Sequence, residues 1–324
     1  MHRLTDRHGL VEHADGTAPR YQGGYCLDDV ARALVVVCRQ SPRTDSLDQM
    51  AAGYLDFVRR AQDSDGRCHN RLDQWGRWED QPDVGDWWGR ALWGLGTAAI
   101  RGPRSLRPIA AQCFDRSISQ RSPHLRAMAF AALGGAEVIV DGRRHPGALG
   151  LLADFVDMVG PPSSDPTWRW PQRRLTYANA VIPEALIAAG AALVDPAAMS
   201  YGLRLLDWLL TIETADSGHL SVTPVGGWGP GERRARFDQQ PIEAAALADA
   251  CARALALTGN RRWSHGLQRA IGWFLGANDN GAVLYDPVSG GSFDALTPAG
   301  CNTNQGGEST LALIATLQHG QQIR

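Results

Sequence analysis

Hydrophobic positions along the chain form two alternating kinds of segment. Residues 31–38, 91–100, 127–140, 184–194, 243–257 and 309–317 are apolar on nearly every helical face. A helix apolar all round is buried on all sides. The other kind is one-sided. In 47–61 the apolar residues Leu47, Met50, Ala51, Tyr54, Leu55 and Val58 follow i, i+3, i+4, i+7 spacing, with Asp48, Asp56, Arg59 and Arg60 opposite. Similar segments run over 105–119, 146–158, 197–213 and 261–275.

The order is buried, amphipathic, buried, amphipathic, with buried helices beginning near 28, 86, 122, 180, 241 and 306. Apart from a shorter second interval, the unit repeats roughly every sixty residues, one helical hairpin at a time. Six inner helices ringed by outer ones predict an all-α fold, an (α/α)6 toroid, with the sixth outer helix missing or shortened. A solenoid of helix pairs would have shorter and more regular repeats. No linker or composition shift divides the chain. The expectation is one toroid domain over 1–324, with 1–27 an N-terminal segment packing near the funnel mouth. The loops before inner helices are long, rich in turn residues and Trp, and predict short strands or hairpins at the funnel end.

Composition narrows the chemistry. With 44% hydrophobic and 20% charged residues the chain is not a disordered one. All 32 basic residues are arginine. Without lysine there is no Schiff base and no P-loop lysine. A net charge of −2 argues against a nucleic-acid partner. The six cysteines are scattered and form no C-x-x-C pair, which fits reduced thiols. No apolar run is long enough for a membrane span, and the N-terminus lacks a signal-peptide pattern; a cytoplasmic protein is expected. Cys68-His69 has no second pair at ligand spacing, so neither a metal nor a cofactor is expected. The glycine-rich stretch 226–231 lacks the strand-then-helix setting of a dinucleotide site.

Acidic residues gather where the buried helices start: Asp28 and Asp29, Asp83 and Asp86, Asp238 and Glu243, and Glu308. Such residues are also ordinary N-caps and suit the helix dipole. In Asp28-Asp29, however, one residue can cap while its neighbour stays free. In a toroid these starts converge on one end of the funnel, and two carboxylates across a cavity are what glycosidic cleavage needs. Asp29 and Glu308 are the expected pair, with Asp86 or Glu243 as substitutes. Arg32 and Arg90 would orient them. The aromatic residues Trp75, Trp78, Trp168, Trp170, Trp228 and Tyr177 would stack on sugar faces. Asp28, Arg90, Asn179, Asp238, Gln239, Gln240, Asn302, Asn304 and Gln305 would bind hydroxyls, and Arg32 would also belong to the substrate-binding set.

The stretches HGLVEHA (8–14), GYCLDDVARAL (24–34), GRALWGLG (89–96), LTYANAVIPEAL (175–186), FDQQPIEAAALADAC (237–251) and NTNQGGESTLAL (302–313) carry a resemblance. In combination they resemble a bacterial family of six-hairpin glycosidase-like proteins. Its members are often fused to glycosyltransferases or encoded beside mannoside-processing enzymes. The resemblance implies the (α/α)6 fold and sugar chemistry. The chain departs from that family at Val30, at Val84–Trp88, at Gln172 and at Ala178, where the family has Asn, Ser-Glu-Asp, Glu and Asp. If a catalytic acid belongs at 172 or 178, this chain has lost it.

The function expected is therefore a glycoside hydrolase-like enzyme acting on an oligosaccharide such as a mannoside. The alternatives are a non-catalytic sugar-binding partner of a glycosyltransferase and, ranked lower, a sugar epimerase. Epimerisation wants paired histidines as proton shuttles, and only His124 lies at an inner-helix start.

Overall fold

A computed structural model describes residues 1–139 and 144–320; Val140, the end of the expected segment 127–140, lies outside them. Among the described residues there are eleven α-helices. They are α1 (Leu27–Arg39), α2 (Asp45–Ala61), α3 (Asp86–Arg101), α4 (Arg107–Ser117), α5 (Leu125–Val138), α6 (Pro146–Val159), α7 (Val181–Leu193), α8 (Pro196–Ile212), α9 (Pro241–Thr258), α10 (Arg261–Phe274) and α11 (Gly307–Gly320). The odd-numbered helices are the apolar segments and are buried on most faces; the even-numbered ones keep an exposed face. None is long and apolar enough to cross a membrane.

Local chemistry sets the helix ends. Thr44 Oγ1 accepts from Leu47 N at 3.3 Å to start α2, and Asn260 Oδ1 accepts from Arg262 N at 3.0 Å to start α10. Gly259, with φ 66°, closes α9 in the left-handed conformation. Three short strand pairs are present among the described residues, among them the antiparallel pairs of Tyr25–Cys26 with Arg71–Leu72 and of Ala295–Thr297 with Gly300–Asn302.

The chain forms two compact units. The first comprises Met1–Ala14, Ala18–Met158 and Ala188–Asp195; the second comprises Asp15–Thr17, Val159–Ile187 and Pro196–Arg324. In the first, α3 packs against both α1 and α5. Its contact with α5 is backbone to backbone. A Cβ on Gly96 would lie 2.3 Å from the Gly134 carbonyl oxygen, and one on Gly134 would lie 2.2 Å from that of Leu92. The N-terminal segment joins this unit by burying Leu4, Leu10 and Val11, and the Tyr25 hydroxyl donates to Asp6 at 2.6 Å. In the second unit α9 packs against α10 and α11. All six cysteines are free, five of them buried.

Gly134→Ala, which forces a methyl into backbone, is expected to cost about 2–3 kcal/mol. Gly53→Ala, on the exposed face of α2 with nothing within 4 Å, is expected to gain up to about 1 kcal/mol. Urea unfolding of the two variants should shift midpoints in opposite directions. Equal shifts would mean that the α3–α5 approach is not what the glycines serve.

Candidate active site

In the first unit the site residues collect around the start of α1. Cys26 sits at the N-cap and its side chain makes no capping bond. The cap comes instead from a distant loop: the Asn70 carbonyl accepts from Leu27 N at 2.8 Å, and Asn70 Oδ1 lies 3.4 Å from Asp28 N. The expectation that one aspartate caps while the other stays free is thereby corrected, because both are held by guanidinium groups. Arg90 Nη1 donates to Asp28 at 2.5 Å, and Arg32 Nη2 donates to Asp29 at 2.5 Å. Arg90 is buried with its guanidinium carbon 4.4 Å from the Phe130 ring centroid, an arrangement that fixes its direction. Asp29 is 2% exposed, whereas Asp28 keeps part of its surface in solvent. Asp86, the first residue of α3, is also partly exposed.

Loop 68–83 builds the rest of this cluster. Asp80 accepts from the backbone N–H groups of Asn70 and Arg71 at 2.6 and 3.1 Å, so it positions the residue that caps α1. His69 Nδ1 lies 2.7 Å from the Asp80 carbonyl oxygen. A carbonyl can only accept, so Nδ1 carries a proton. The imidazole stacks on Trp78 at 5.1 Å between centroids, and Trp78 meets Phe57 edge-on. One face of Trp78, expected to stack on sugar, is thus taken by His69. Trp75, 71% exposed, remains open.

Glu12, Cys26 and Asp29 bring one potential ligand atom each within 4.8 Å of one another. Arg71 donates to Glu12 at 2.6 Å, Arg32 already engages Asp29, and burial pushes the Cys26 thiol well above its ordinary range. Both carboxylates of this group therefore already have guanidinium partners.

In the second unit Glu243, in the first turn of α9, is buried and accepts from three donors. They are the Ala178 N–H, the Asn179 N–H at 3.2 Å and Asn179 Nδ2 at 3.1 Å. It supports the backbone ahead of α7, and the buried Asn179 is its partner rather than a free sugar-binding amide. Gln239, expected to meet substrate, is also buried. It accepts from Trp273 Nε1 at 2.9 Å and donates to Asp279 at 2.5 Å. Gln305 is similar. It accepts from Ser289 Oγ at 2.5 Å and donates to Asp286 at 2.9 Å, and these contacts help hold the Asp286 carboxyl down at about 2. Asn304 Oδ1 accepts from Gly16 N at 3.0 Å.

The tryptophan expectation needs the largest correction. Trp170 is only 2% exposed and stacks on Trp208, while Trp168 meets Trp208 and Trp228 edge-on. These rings bury one another instead of forming an open platform. Gly227, at φ 60°, brings its backbone so close to Leu175 that a Cβ would lie 2.2 Å from the carbonyl oxygen. The glycine-rich stretch thereby serves the Leu175–Trp228 bridge. Tyr177 (42% exposed) and Asp238 remain accessible, and Gln240, Trp228 and Glu308 partly so. Sequence reasoning missed Asn70 and Asp80, whose roles come from partners far along the chain. The aspartate within the turn-rich loop was the only local sign.

No family model matches the chain, and no curated protein matches it. Solved structures do. A sugar epimerase from a ruminal bacterium aligns at 13% identity over 98% of this chain and 94% of its own, with a TM-score of 0.70. Cellobiose 2-epimerase from Bacillus thermoamylovorans aligns at 10% identity over 99% and 95%, with a TM-score of 0.74. An α-mannanase of glycoside hydrolase family 76 from Bacteroides thetaiotaomicron aligns at 12% identity over 98% and 91%, with a TM-score of 0.66. These likenesses show the fold, an (α/α)6 toroid that is mostly helical with few short strands.

Ala178 has φ 44°, a left-handed conformation that costs an alanine about 1–2 kcal/mol. Ala178→Gly is expected to raise stability by about 0.5–1 kcal/mol in thermal unfolding. Glu243→Gln turns one acceptor oxygen into a donor facing N–H groups and should cost about 2–3 kcal/mol. A stable Glu243→Gln protein would show that the carboxylate does not hold this turn.

Proposed function

We propose that the protein is a sugar-processing enzyme of the glycoside hydrolase type, acting on an oligosaccharide such as a mannoside. The observation that carries this reading is how the first-turn carboxylates sort. Asp29 and Glu243 are buried and bound by donors, while Asp28, Asp86 and Glu308 keep part of their surface in solvent. Glycosidic cleavage asks one carboxyl group to protonate the leaving oxygen and another to activate water or attack the sugar. Asp28, whose carboxylate is fixed by the buried Arg90 at 2.5 Å and keeps part of its surface in solvent, suits the role of the group that activates water or attacks the sugar. Asp86 and Glu308, each partly exposed in the first turn of its helix, are the candidates for the protonated role. Asp29, with Arg32, positions the first turn of α1. The sugar enzymes named among the structural neighbours support the substrate class.

His69 favours a second reading, epimerisation of a sugar. Its Nδ1 is fixed by the Asp80 carbonyl and its ring by Trp78, so Nε2 is the nitrogen that would act as the base. Proton abstraction beside a carbonyl needs such a base.

Product analysis against a glycan panel containing α- and β-mannosides separates the two. A hydrolase releases new reducing ends, whereas an epimerase run in deuterium oxide incorporates deuterium beside the carbonyl. For the hydrolase, Asp28→Asn and Glu308→Gln are each expected to lower kcat by about 100-fold or more. Asp29→Asn is expected to act through stability as well. Losses under tenfold in both Asp28→Asn and Glu308→Gln, or saturable sugar binding with no turnover of any panel member, would sink the hydrolase assignment. The second outcome would point to a sugar-binding partner of a glycosyltransferase.

A further inference from the structure

Trp87 follows Asp86 in the first turn of α3, and two contacts fix its ring. Its Nε1 donates to the Cys68 carbonyl oxygen at 2.7 Å. Its benzo ring lies over Gly85: a Cβ on that glycine would sit 2.8 Å from Trp87 Cε3 and closer still to Cζ3 and Cη2. A point that near three consecutive ring atoms lies over the face of the ring and not in its plane. Gly85 has φ −69° and ψ −169°, backbone that alanine also adopts, so what this position asks of glycine is room for the indole. Trp88 beside it is fully buried, whereas Trp87 keeps part of its surface in solvent.

These contacts put the ring beside Asp28. Cys68, which holds the indole N–H, stands two residues before Asn70, whose carbonyl accepts from Leu27 N at the start of α1. Arg90, three residues after Trp87 and on the same side of α3, donates to Asp28 at 2.5 Å. The indole thus ties together the two chain segments that hold the first turn of α1. A ring fixed in this way loses little further rotamer freedom when a ligand covers it.

With its N–H engaged, the indole offers a ligand a flat apolar face, which matches the C–H face of a pyranose ring. Stereochemistry decides which ring fits. In a β-mannoside one face carries axial hydrogens and no axial oxygen, and the axial 2-hydroxyl lies on the other. In an α-mannoside the axial glycosidic oxygen stands on the face that would otherwise be clear, so both faces carry an axial oxygen. Stacking the indole on either face would desolvate that oxygen without giving it a hydrogen bond.

We propose that the face of Trp87 opposite Gly85 is the stacking platform for one pyranose ring of the substrate, and that it selects β-linked over α-linked mannosides. The proposal rests on the sugar-processing reading above and narrows its substrate class.

Isothermal titration of the full chain with methyl β-mannobioside and with its α-linked isomer, in which the methyl group locks the reducing-end anomer, reads this preference directly. The β compound is expected to bind saturably and about tenfold tighter. Trp87→Leu should remove the preference, and Trp87→Phe should restore part of it. Gly85→Ala displaces the ring without altering it and should act like Trp87→Leu; it carries the test if Trp87→Leu does not fold. A ring with a purely structural role would change stability and leave the ratio of the two affinities alone. Equal affinity for the two isomers, a preference unchanged by Trp87→Leu or Gly85→Ala, or a preference lost in Trp75→Ala instead would overturn the proposal and leave the sugar-processing reading standing. Absence of saturable binding by either isomer would overturn it as well, and turnover of the glycan panel then decides that reading separately.

Discussion

A carboxylate on the first turn of a buried helix must find its counter-charge inside the protein, and the arrangement around these helix starts follows from that requirement. The helix dipole alone contributes about 0.3–1 kcal/mol, up to about 2 when partly buried. Desolvating an ion costs several kcal/mol. The two units meet the shortfall differently. In the first, Arg32 and Arg90 supply guanidinium groups to Asp29 and Asp28. In the second, Glu243 takes the N–H groups of Ala178 and Asn179. Asp29 and Glu243, buried among these donors, are thereby set apart from the partly exposed Asp86 and Glu308.

The absence of lysine bears on the same point. A guanidinium is planar and weakly hydrated, and it can lie on an aromatic face while its edge bonds a carboxylate. Arg90 does both, with Phe130 beneath it and Asp28 at its edge. Arg39 likewise lies 5.2 Å from the Trp93 ring centroid. An ammonium in place of Arg90 would lose the stacking and keep a stronger demand for water. Whatever put arginine at every basic position, the buried pairs at the start of α1 depend on its shape.

The helices were legible because burial leaves a period in the sequence, and the pattern separates helices buried on most faces from those with one exposed face. The acidic helix starts were legible for the same reason: they sit at fixed offsets from a periodic segment. What surrounds them was not. Asn70 caps α1 across 42 residues and Asp80 sets Asn70, contacts with no local signature. Trp168 and Trp170 read as rim aromatics because they lie in a loop with polar neighbours. A loop that brings several indoles together buries them against one another, as the cluster with Trp208 and Trp228 does. Gln239 and Gln305 read as sugar-binding amides, yet a buried amide between fixed partners satisfies its donors and acceptor there.

Ala178 connects the departures from the resembled family to the geometry. The family's aspartate at this position is a residue type that tolerates the left-handed conformation, whereas alanine does not. Yet Ala178 keeps φ at 44°, buried, with its N–H on Glu243. The conformation therefore does not come from the residue at 178; it is imposed by the acceptor across the unit. Losing a carboxylate at 178 removes a charge from the neighbourhood of Glu243 while leaving the backbone in place. Glu243, buried and accepting from the N–H groups of Ala178 and Asn179, holds the turn that begins α7.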